Sequence, residues 1–345
     1  MRGVEAVSLA DASRIFFSII IFMFGSIKRH MAYAAAFIMV LLHCNPVLWA
    51  GNNWALVRVS VANVREKPGH AAELGSQVIM GTPLKVTGSE GDWLRIETPE
   101  GYKGYIIKNS VRLKSDEEMA RWRTAARVAV SCFDQTYIYD SEAVSGDGLC
   151  DMLAMHRVTD VVNGSILETG AQSPEGFCAV RLPDGREGYI RSGDGAPLQQ
   201  LGAAQVNMDD VIGFAIRLNG TPYLWGGTSS KSMDCSGLTK IAFLSQGVIL
   251  PRNASQQAKI GAPVSAASGY RKGDLLFFGN PATGRVNHVG MYIGDHRFVH
   301  CAGRVMVSSL EPSDKDYIDL YLLGVRRLSE EDFRQMSVNS HSWYF

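Results

Sequence analysis

Between residues 54 and 113 the chain alternates apolar and polar positions in short runs. They are Leu56-Val57-Arg58-Val59, Asn63-Val64-Arg65, Gln77-Val78-Ile79, Leu84-Lys85-Val86, Trp93-Leu94-Arg95-Ile96 and Gly104-Tyr105-Ile106. Runs this short, broken by Gly and Pro, predict the strands of a small β-barrel. The pattern then returns. Pro99-Glu100-Gly101-Tyr102-Lys103-Gly104-Tyr105-Ile106 aligns with Pro183-Asp184-Gly185-Arg186-Glu187-Gly188-Tyr189-Ile190 at an offset of 84, and Met80-Gly81-Thr82-Pro83-Leu84 with Asn163-Gly164-Ser165-Ile166-Leu167 at 83. Two periods with nearly the same offset predict a duplicated module. Between the copies, Ser115 to Val130 is rich in Glu, Arg and Ala and predicts a joining helix.

After a linker around Gly193 to Gln205 the period changes. A helix is predicted from about Met208 to Leu218, and another opens at Cys235, whose apolar followers Leu238, Ile241, Ala242 and Leu244 mark a buried face. Val286 to Ile293 alternates, with His288, Gly290 and Tyr292 on one side. Phe298, His300 and Ala302 alternate likewise, so both segments read as strands around a turn at Gly294-Asp295.

The first 50 residues carry two apolar runs, Ile15 to Phe24 and Ala32 to Leu42, separated by Lys28-Arg29-His30. Each is shorter than the ~20 residues a membrane span needs, so both read as cores of a signal peptide covering residues 1–50. Met31 is a second candidate start, and Leu48-Trp49-Ala50 before Gly51 is a candidate cleavage site. Export to the periplasm or cell envelope is expected, without membrane attachment once the leader is removed. Cys44 offers a lipoprotein alternative that His43 disfavours.

The 345 residues, 46% hydrophobic and 20% charged, suffice for two or three domains. With 34 residues of each charge, nothing points to nucleic acid as a partner. The chain is read as a monomer. Five cysteines follow residue 50: Cys132, Cys150, Cys178, Cys235 and Cys301. An odd count in an exported protein fits one functional thiol, with the rest buried or paired. Pairing among Cys132, Cys150 and Cys178 stays open, and Cys301 is expected behind the sheet.

Asp234-Cys235-Ser236-Gly237 is followed 53 residues later by Asn287-His288-Val289-Gly290, and 12 residues after His288 by His300. This reads as a cysteine nucleophile, a histidine base and a third residue that holds the base. A thiol is only a few per cent ionised near neutral pH, and a helix start supplies free N–H groups and a favourable dipole for the thiolate. A spacing of 12 puts both histidines on one face if the hairpin loop is odd, and on opposite faces if it holds two residues. The plainer readings are a small buried cysteine and core histidines. Cys235, His288, His300 and Cys301 as zinc ligands is a further alternative, but no C-x-x-C or H-x-x-x-H spacing occurs, and residues 300 and 301 point to opposite faces. No metal or organic cofactor is expected.

Residues 205 to 330 closely resemble the NlpC-type bacterial cell-wall cysteine peptidases, an α+β papain-like family. The resemblance rests on Thr221-Pro222-Tyr223-Leu224-Trp225-Gly226-Gly227, Asp234-Cys235-Ser236-Gly237, Pro251-Arg252, Lys272-Gly273-Asp274-Leu275-Leu276-Phe277-Phe278, Asn287-His288-Val289-Gly290-Met291-Tyr292-Ile293-Gly294 and Phe298-Val299-His300. It implies Cys235 as nucleophile, His288 as general base, His300 as the orienting residue and Tyr223 beside the thiolate. The plainer reading of Tyr223 is a turn aromatic packed on Trp225. The repeated modules resemble bacterial SH3-type domains, the first better preserved through Asn63-Val64-Arg65 and Gly91-Asp92-Trp93. The implied division is 51–114 and 131–200 for the modules, 115–130 for the helix, 205–330 for the peptidase and 331–345 for a tail.

Two such modules before this peptidase resemble the γ-D-glutamyl-L-diamino-acid endopeptidases. The implied partner is a murein peptide, L-Ala-γ-D-Glu-diamino acid, with a free N-terminal amine and one end of the cleft closed by the first module. Asp234 and Ser236 flank the nucleophile as candidates for holding that amine and the peptide backbone, with Trp225 another substrate-facing candidate. Glu73 and Tyr102 or Tyr105 are candidates for the closed end, since an ammonium in a partly desolvated pocket needs a carboxylate. Glu73 reads equally as a solvated loop residue. Tyr105 aligns with Tyr189 and reads as structural, whereas Tyr102 aligns with Arg186 and is freer. Asn253 and Ser255 are placed in the same subsite, although relatives carry an acidic residue or serine at positions 253 and 254. The competing classes are an endopeptidase or amidase on intact wall and an inactive wall-binding protein.

Overall fold

The computed structural model describes residues 53–140, 156–170, 175–202 and 205–345. The leader, Cys44 and Cys150 lie outside the described residues. The first sheet contains β1 Trp54–Val57, β2 Val61–Arg65, β3 Leu74–Ile79, β4 Pro83–Glu90, β5 Trp93–Glu97, β6 Lys103–Ile107 and β7 Val111–Lys114. Its order is β3-β2-β6-β5-β4-β1-β7. The second contains β8 Arg127–Val130, β9 Gln135–Tyr139, β10 Arg157–Val162, β11 Ile166–Thr169, β12 Phe177–Arg181, β13 Glu187–Arg191 and β14 Gly195–Pro197. Its order, β10-β9-β13-β12-β11-β8-β14, is the first with seven added to every label.

Even the crossing points agree. A Cβ at Gly104 would stand 2.6 Å from Val64 Cγ1 and 2.9 Å from the Arg65 carbonyl; one at Gly188 would stand 2.5 Å from Ile138 Cγ2 and 2.6 Å from the Tyr139 carbonyl. Glycine recurs at the same repeat position because β6 must pass β2, and β13 must pass β9, with no room for a side chain.

The joining helix is shorter than its composition predicts. α1 is Asp116–Thr124, opened by a capping box in which Ser115 Oγ accepts from Glu118 N–H and the Glu118 carboxylate accepts from Ser115 N–H. Ala125 leaves the helix with extended backbone, and Arg127–Val130 becomes β8, paired with Ile166–Glu168 on one side and Gly195–Pro197 on the other. All four residues of β8 are buried, so sheet pairing outweighs the local helix tendency that the residue types suggest.

The remaining unit is α+β. α2, Met208–Arg217, buries Val211, Ile212, Phe214 and Ala215. The two-residue strands β15 Thr228–Ser229 and β16 Ser232–Met233 lead into α3, Cys235–Leu244, and α4, Ala254–Gln257. The sheet contains β17 Ala262–Pro263, β18 Leu275–Asn280, β19 Arg285–Gly294, β20 Arg297–Ala302, β21 Arg304–Ser309 and β22 Leu322–Arg327, in the order β17-β22-β18-β19-β20-β21. One face, through Leu275, Phe277, Val289, Met291, Val299 and Cys301, joins the core that contains Cys235, Leu238 and Ala242 of α3. The other face carries Leu276, Phe278, Tyr292 and Phe298.

Residues 331–345, expected as a tail, are packed. After α5, Glu330–Gln335, Val338 and Tyr344 enter a core with Leu56, Met119, Trp122, Ile166 and Ile249. Trp343 lies edge-on to Trp54 with ring centres 5.1 Å apart, and His341 Nε2 sits 2.9 Å from the Pro99 carbonyl. The chain end thereby fastens both modules to the α+β unit.

Candidate active site

α3 begins where its cap is fixed. Asp234 Oδ1 accepts from Gly237 N–H at 2.7 Å and from Ser236 Oγ–H at 3.1 Å, while Oδ2 accepts from Gly226 N–H at 3.0 Å. Arg252 reaches the same carboxylate through Nη1 at 3.2 Å and Nη2 at 2.5 Å. Its Nη1 also donates to Ser236 Oγ at 3.0 Å and its Nε to Ser76 Oγ of β3 at 3.1 Å. Arg252 and Asp234 are 1% and 6% exposed. A buried ion pair is tolerable only when both partners are fully hydrogen-bonded, as here. Asp234 and Ser236 do line the cleft, yet their polar atoms are engaged in holding α3 and in tying it, through Arg252, to the first module.

Cys235 is buried, with the backbone N–H groups of Val289 and Ser236 near its thiol. Burial first, then the Asp234 carboxylate, pushes the thiol up to about 11, against the pull of those N–H groups and Arg252. Val289, near the sulfur, is the residue next to His288 on β19. Burial pulls His288 down to about 4, with Asp234 opposing, and His300 down to about 3, with His288 adding to the effect. His288 Nε2 lies 2.8 Å from His300 Nδ1, and His300 Nε2 lies 2.9 Å from Ser308 Oγ. At neutral pH cysteine and imidazoles rest uncharged.

The hairpin that aligns these rings corrects the loop rule. Its turn holds two residues, Asp295 and His296, both with positive φ (49° and 58°), the backbone of a type I′ turn. Two residues alone would put the histidines on opposite faces. Ile293, however, is an extra residue between the pairs Tyr292↔Phe298 and Gly294↔Arg297. This bulge restores the parity, so Gly290 faces His300 and His288 becomes its diagonal neighbour. Ser308, on the alternation of His300 and two residues beyond its partner Met306, completes the row. That alternation along Arg304–Ser309 was a usable sequence signal.

Tyr223 is half-buried, and its phenol is pushed up to about 12, by burial first and then by Cys235. It therefore remains an O–H donor. Cys301, expected behind the sheet, instead lies in the same core as Cys235, on the face that packs against α3, and donates to the Met233 carbonyl at 3.3 Å. Among the described residues no three His, Cys, Asp or Glu side chains converge as a metal site, and Cys132, Cys178, Cys235 and Cys301 are free thiols.

A cleft of about 670 Å³ opens over Cys235. Tyr223, Trp225, Asp234, Ser236, Asn253 and Ser255 line it, together with Glu73 and Tyr102 from the first module. Tyr105 is not among its lining residues and pairs within the sheet with Arg65 and Arg95. Asn253 also caps α4, its N–H donating to Gln256 Oε1 at 3.0 Å. The lining includes two charged residues not singled out from sequence, Glu66, which accepts the Tyr102 O–H, and Arg285 at the head of β19. Glu66 and Tyr102 stand 36 residues apart, with no local pattern to link them.

A family model described as the NlpC/P60 family matches residues 220–327, and one described as a bacterial SH3 domain matches residues 60–112. Dipeptidyl-peptidase 6 of Lysinibacillus sphaericus is 30% identical over 275 residues, which is 74% of this chain and 92% of that protein. Gamma-D-glutamyl-L-lysine dipeptidyl-peptidase of Bacillus cereus is 30% identical over 270 residues, 75% of this chain and 76% of that protein. The crystal structure of an NlpC/P60 family protein from Bacillus cereus has the same fold, with a TM-score of 0.66 at 23% identity over 79% of this chain and 99% of that one. The chain thus belongs to the NlpC/P60 family, as a cysteine peptidase with an N-terminal bacterial SH3 domain.

Proposed function

We propose that this protein hydrolyses the bond between γ-D-Glu and the following diamino acid in murein peptides whose N-terminal L-Ala is free, in wall turnover or recycling. The observation that carries this reading is a single cleft in which a thiol at a helix start faces two carboxylates, Glu66 and Glu73, without ion-pair partners among the described residues. Tyr102 stands with them. A peptide ammonium is the charge such a wall is built to hold. The names of the relatives from Lysinibacillus sphaericus and Bacillus cereus point the same way.

The chemistry follows from the rings. His300 occupies Nε2 of His288, which leaves Nδ1 to take the thiol proton. That requires the tautomer in which His288 Nε2–H donates to His300 Nδ1 and His300 Nε2–H donates to Ser308 Oγ. The Cys235 sulfur attacks the γ-glutamyl carbonyl carbon, and backbone N–H groups at the start of α3 donate to the developing oxyanion. His288 returns the proton to the departing amine as the C–N bond breaks, then deprotonates the water that cleaves the thioester and frees the thiol. Tyr223 O–H donates toward the sulfur. Burial keeps the resting pair neutral, so the thiol proton passes to His288 Nδ1 as the sulfur attacks.

Glu66, Glu73 and Tyr102 hold the ammonium, with Asn253, Ser255 and Trp225 along the peptide. The second sheet is read, from its strand order, as another module of the first kind, starting at Arg127. The protein is read as exported, and as a monomer. In the deciding experiment, mass spectrometry follows release of L-Ala-γ-D-Glu from L-Ala-γ-D-Glu-diaminopimelate. Cys235→Ala should lower the rate by about 10⁴-fold or more; undiminished turnover rejects the assignment. Acetylating the N-terminal Ala should block cleavage by the unaltered enzyme, and equal rates on both peptides would remove the closed cleft.

A further inference from the structure

The cleft carries opposite charges on walls supplied by different parts of the chain. Glu66 and Glu73 come from the first module, whereas Arg285 comes from the hairpin of β18 and β19. Arg285 is exposed and makes no ion pair among the described residues. Two other arginines of the sheet are committed, Arg297 to Asp314 and Asp316, and Arg327 to Asp274. Its backbone is nevertheless firmly set. Arg285 pairs with Asn280 across the hairpin, its N–H donates to Thr283 Oγ1 at 3.3 Å, and Gly284 N–H donates to the Asn280 carbonyl at 2.9 Å. A Cβ on Gly279 would fall 2.0 Å from the Arg285 carbonyl, so only glycine lets the hairpin close there. A guanidinium carried by a fixed turn at the cleft over Cys235, without an ion pair among the described residues, is suited to a planar anion.

We propose that Arg285 reads a carboxylate of the substrate, making the cleft complementary to a peptide that is cationic at one end and anionic beyond it. This rests on the function proposed above. In L-Ala-γ-D-Glu-diamino acid the carboxylate comes from one of two sources, the α-carboxyl of D-Glu or a carboxyl of the diamino acid.

Calorimetric titration of Cys235→Ser and Cys235→Ser/Arg285→Ala with synthetic tripeptides separates them. The set is the diaminopimelate peptide, the same peptide with the D-Glu α-carboxyl amidated, and the same peptide with the diaminopimelate carboxyls amidated. Losing Arg285 should weaken binding of the parent peptide about 10- to 100-fold, the usual worth of a charge-assisted hydrogen bond to a carboxylate. The loss should vanish for the peptide whose recognised carboxyl is amidated, which names the source. Arg285→Lys should recover part of the affinity, and the thermal midpoint should not move, since the side chain makes no hydrogen bond or ion pair among the described residues.

Equal weakening on all three peptides, or none on any, overturns the inference. Binding of the peptide without hydrolysis by the Cys235 enzyme would sink the proposed function and leave Arg285 standing. Hydrolysis with unaltered kcat/KM in Arg285→Ala would sink Arg285 alone. Absence of binding by every peptide removes both.

Discussion

The two amino-terminal sheets share one strand order and are joined to the α+β unit by different physics. The first enters the site with buried polar atoms. Ser76 takes a bond from Arg252, the Gln77 carbonyl accepts from Thr228 Oγ1–H at 2.7 Å, and Glu100 meets Lys240 at 3.4 Å, with side chains 5% and 11% exposed. The second is held mainly at its surface. Lys231 pairs with Asp160 at 2.5 Å with side chains 40% and 28% exposed, Ser230 Oγ–H donates to the Asp134 carbonyl, and Phe133 packs edge-on to Phe214 under Arg217. One scaffold therefore serves two purposes, and the polar edge of β3 rather than the fold decides which copy builds the cleft.

The largest effect should follow from breaking the first attachment. Arg252→Met leaves Asp234 charged and buried without its partner, releases Ser76, and should cost about 3–5 kcal/mol in denaturant unfolding. Turnover should fall with it, because the cap of α3 loses its anchor. A loss no greater than that of a surface pair would show that the module leans on the peptidase without being built into it.

A smaller effect tests the division of labour directly. Tyr102 and Arg186 occupy one repeat position; the first faces Glu66 in the cleft, and the second pairs with Asp184 of its own turn at 3.0 Å. Glu73→Gln or Tyr102→Phe should lower kcat/KM on free-amine tripeptides about 10- to 100-fold. Arg186→Ala should leave kcat/KM unchanged. Similar losses in both modules would erase the distinction drawn here.

Much of this was legible beforehand because it is local. The duplication shows through glycines such as Gly104 and Gly188 that repeat a steric requirement, and the nucleophile's helix shows through its apolar spacing. The strands of His288 and His300 show through alternation. What stayed hidden depends on residues far apart or on a one-residue irregularity. Arg252 and Ser76 stand 176 positions apart, and nothing near Pro251-Arg252 indicates that partner. The bulge at Ile293 leaves no mark in the apolar pattern, yet it decides which face His300 occupies. Residues 127–130 carry helix-compatible composition and become a strand only because two neighbouring strands wait to pair with them. The packing of Trp343 and Tyr344 likewise depends on Trp54 and Leu56, at the opposite end of the described chain.

Acid should also separate the units. His288 and His300 both titrate below the ordinary histidine range in the folded chain, so as pH falls the unfolded chain takes up protons first. Their contribution is intact above about pH 6.5 and is lost as pH drops through about 4 and then about 3. In the modules, His70 is exposed and His156 half-buried. The loss between pH 7 and 4 should therefore belong to the peptidase sheet. His300→Gln should flatten the thermal midpoint over that interval. An unchanged slope in His300→Gln would mean that the acid-sensitive group lies elsewhere.

The smallest expected change comes from the second attachment. Lys231 and Asp160 remain in water on both sides, where screening and side-chain entropy offset most of their attraction, and Ser60 Oγ–H, 2.7 Å from Asp160, stays to hold the carboxylate when the lysine is removed. Lys231→Ala should therefore lower stability by less than about 1 kcal/mol and leave kcat/KM on the tripeptide unaltered, as denaturant curves and peptide assays would register. The same substitution should become still milder in added salt, since an exposed pair is screened and a buried one is not. If instead it destabilised the chain as much as Arg252→Met, or changed peptide turnover, the second sheet would have to be counted as part of the site, and the contrast between the two copies would reduce to which loops happen to border the cleft.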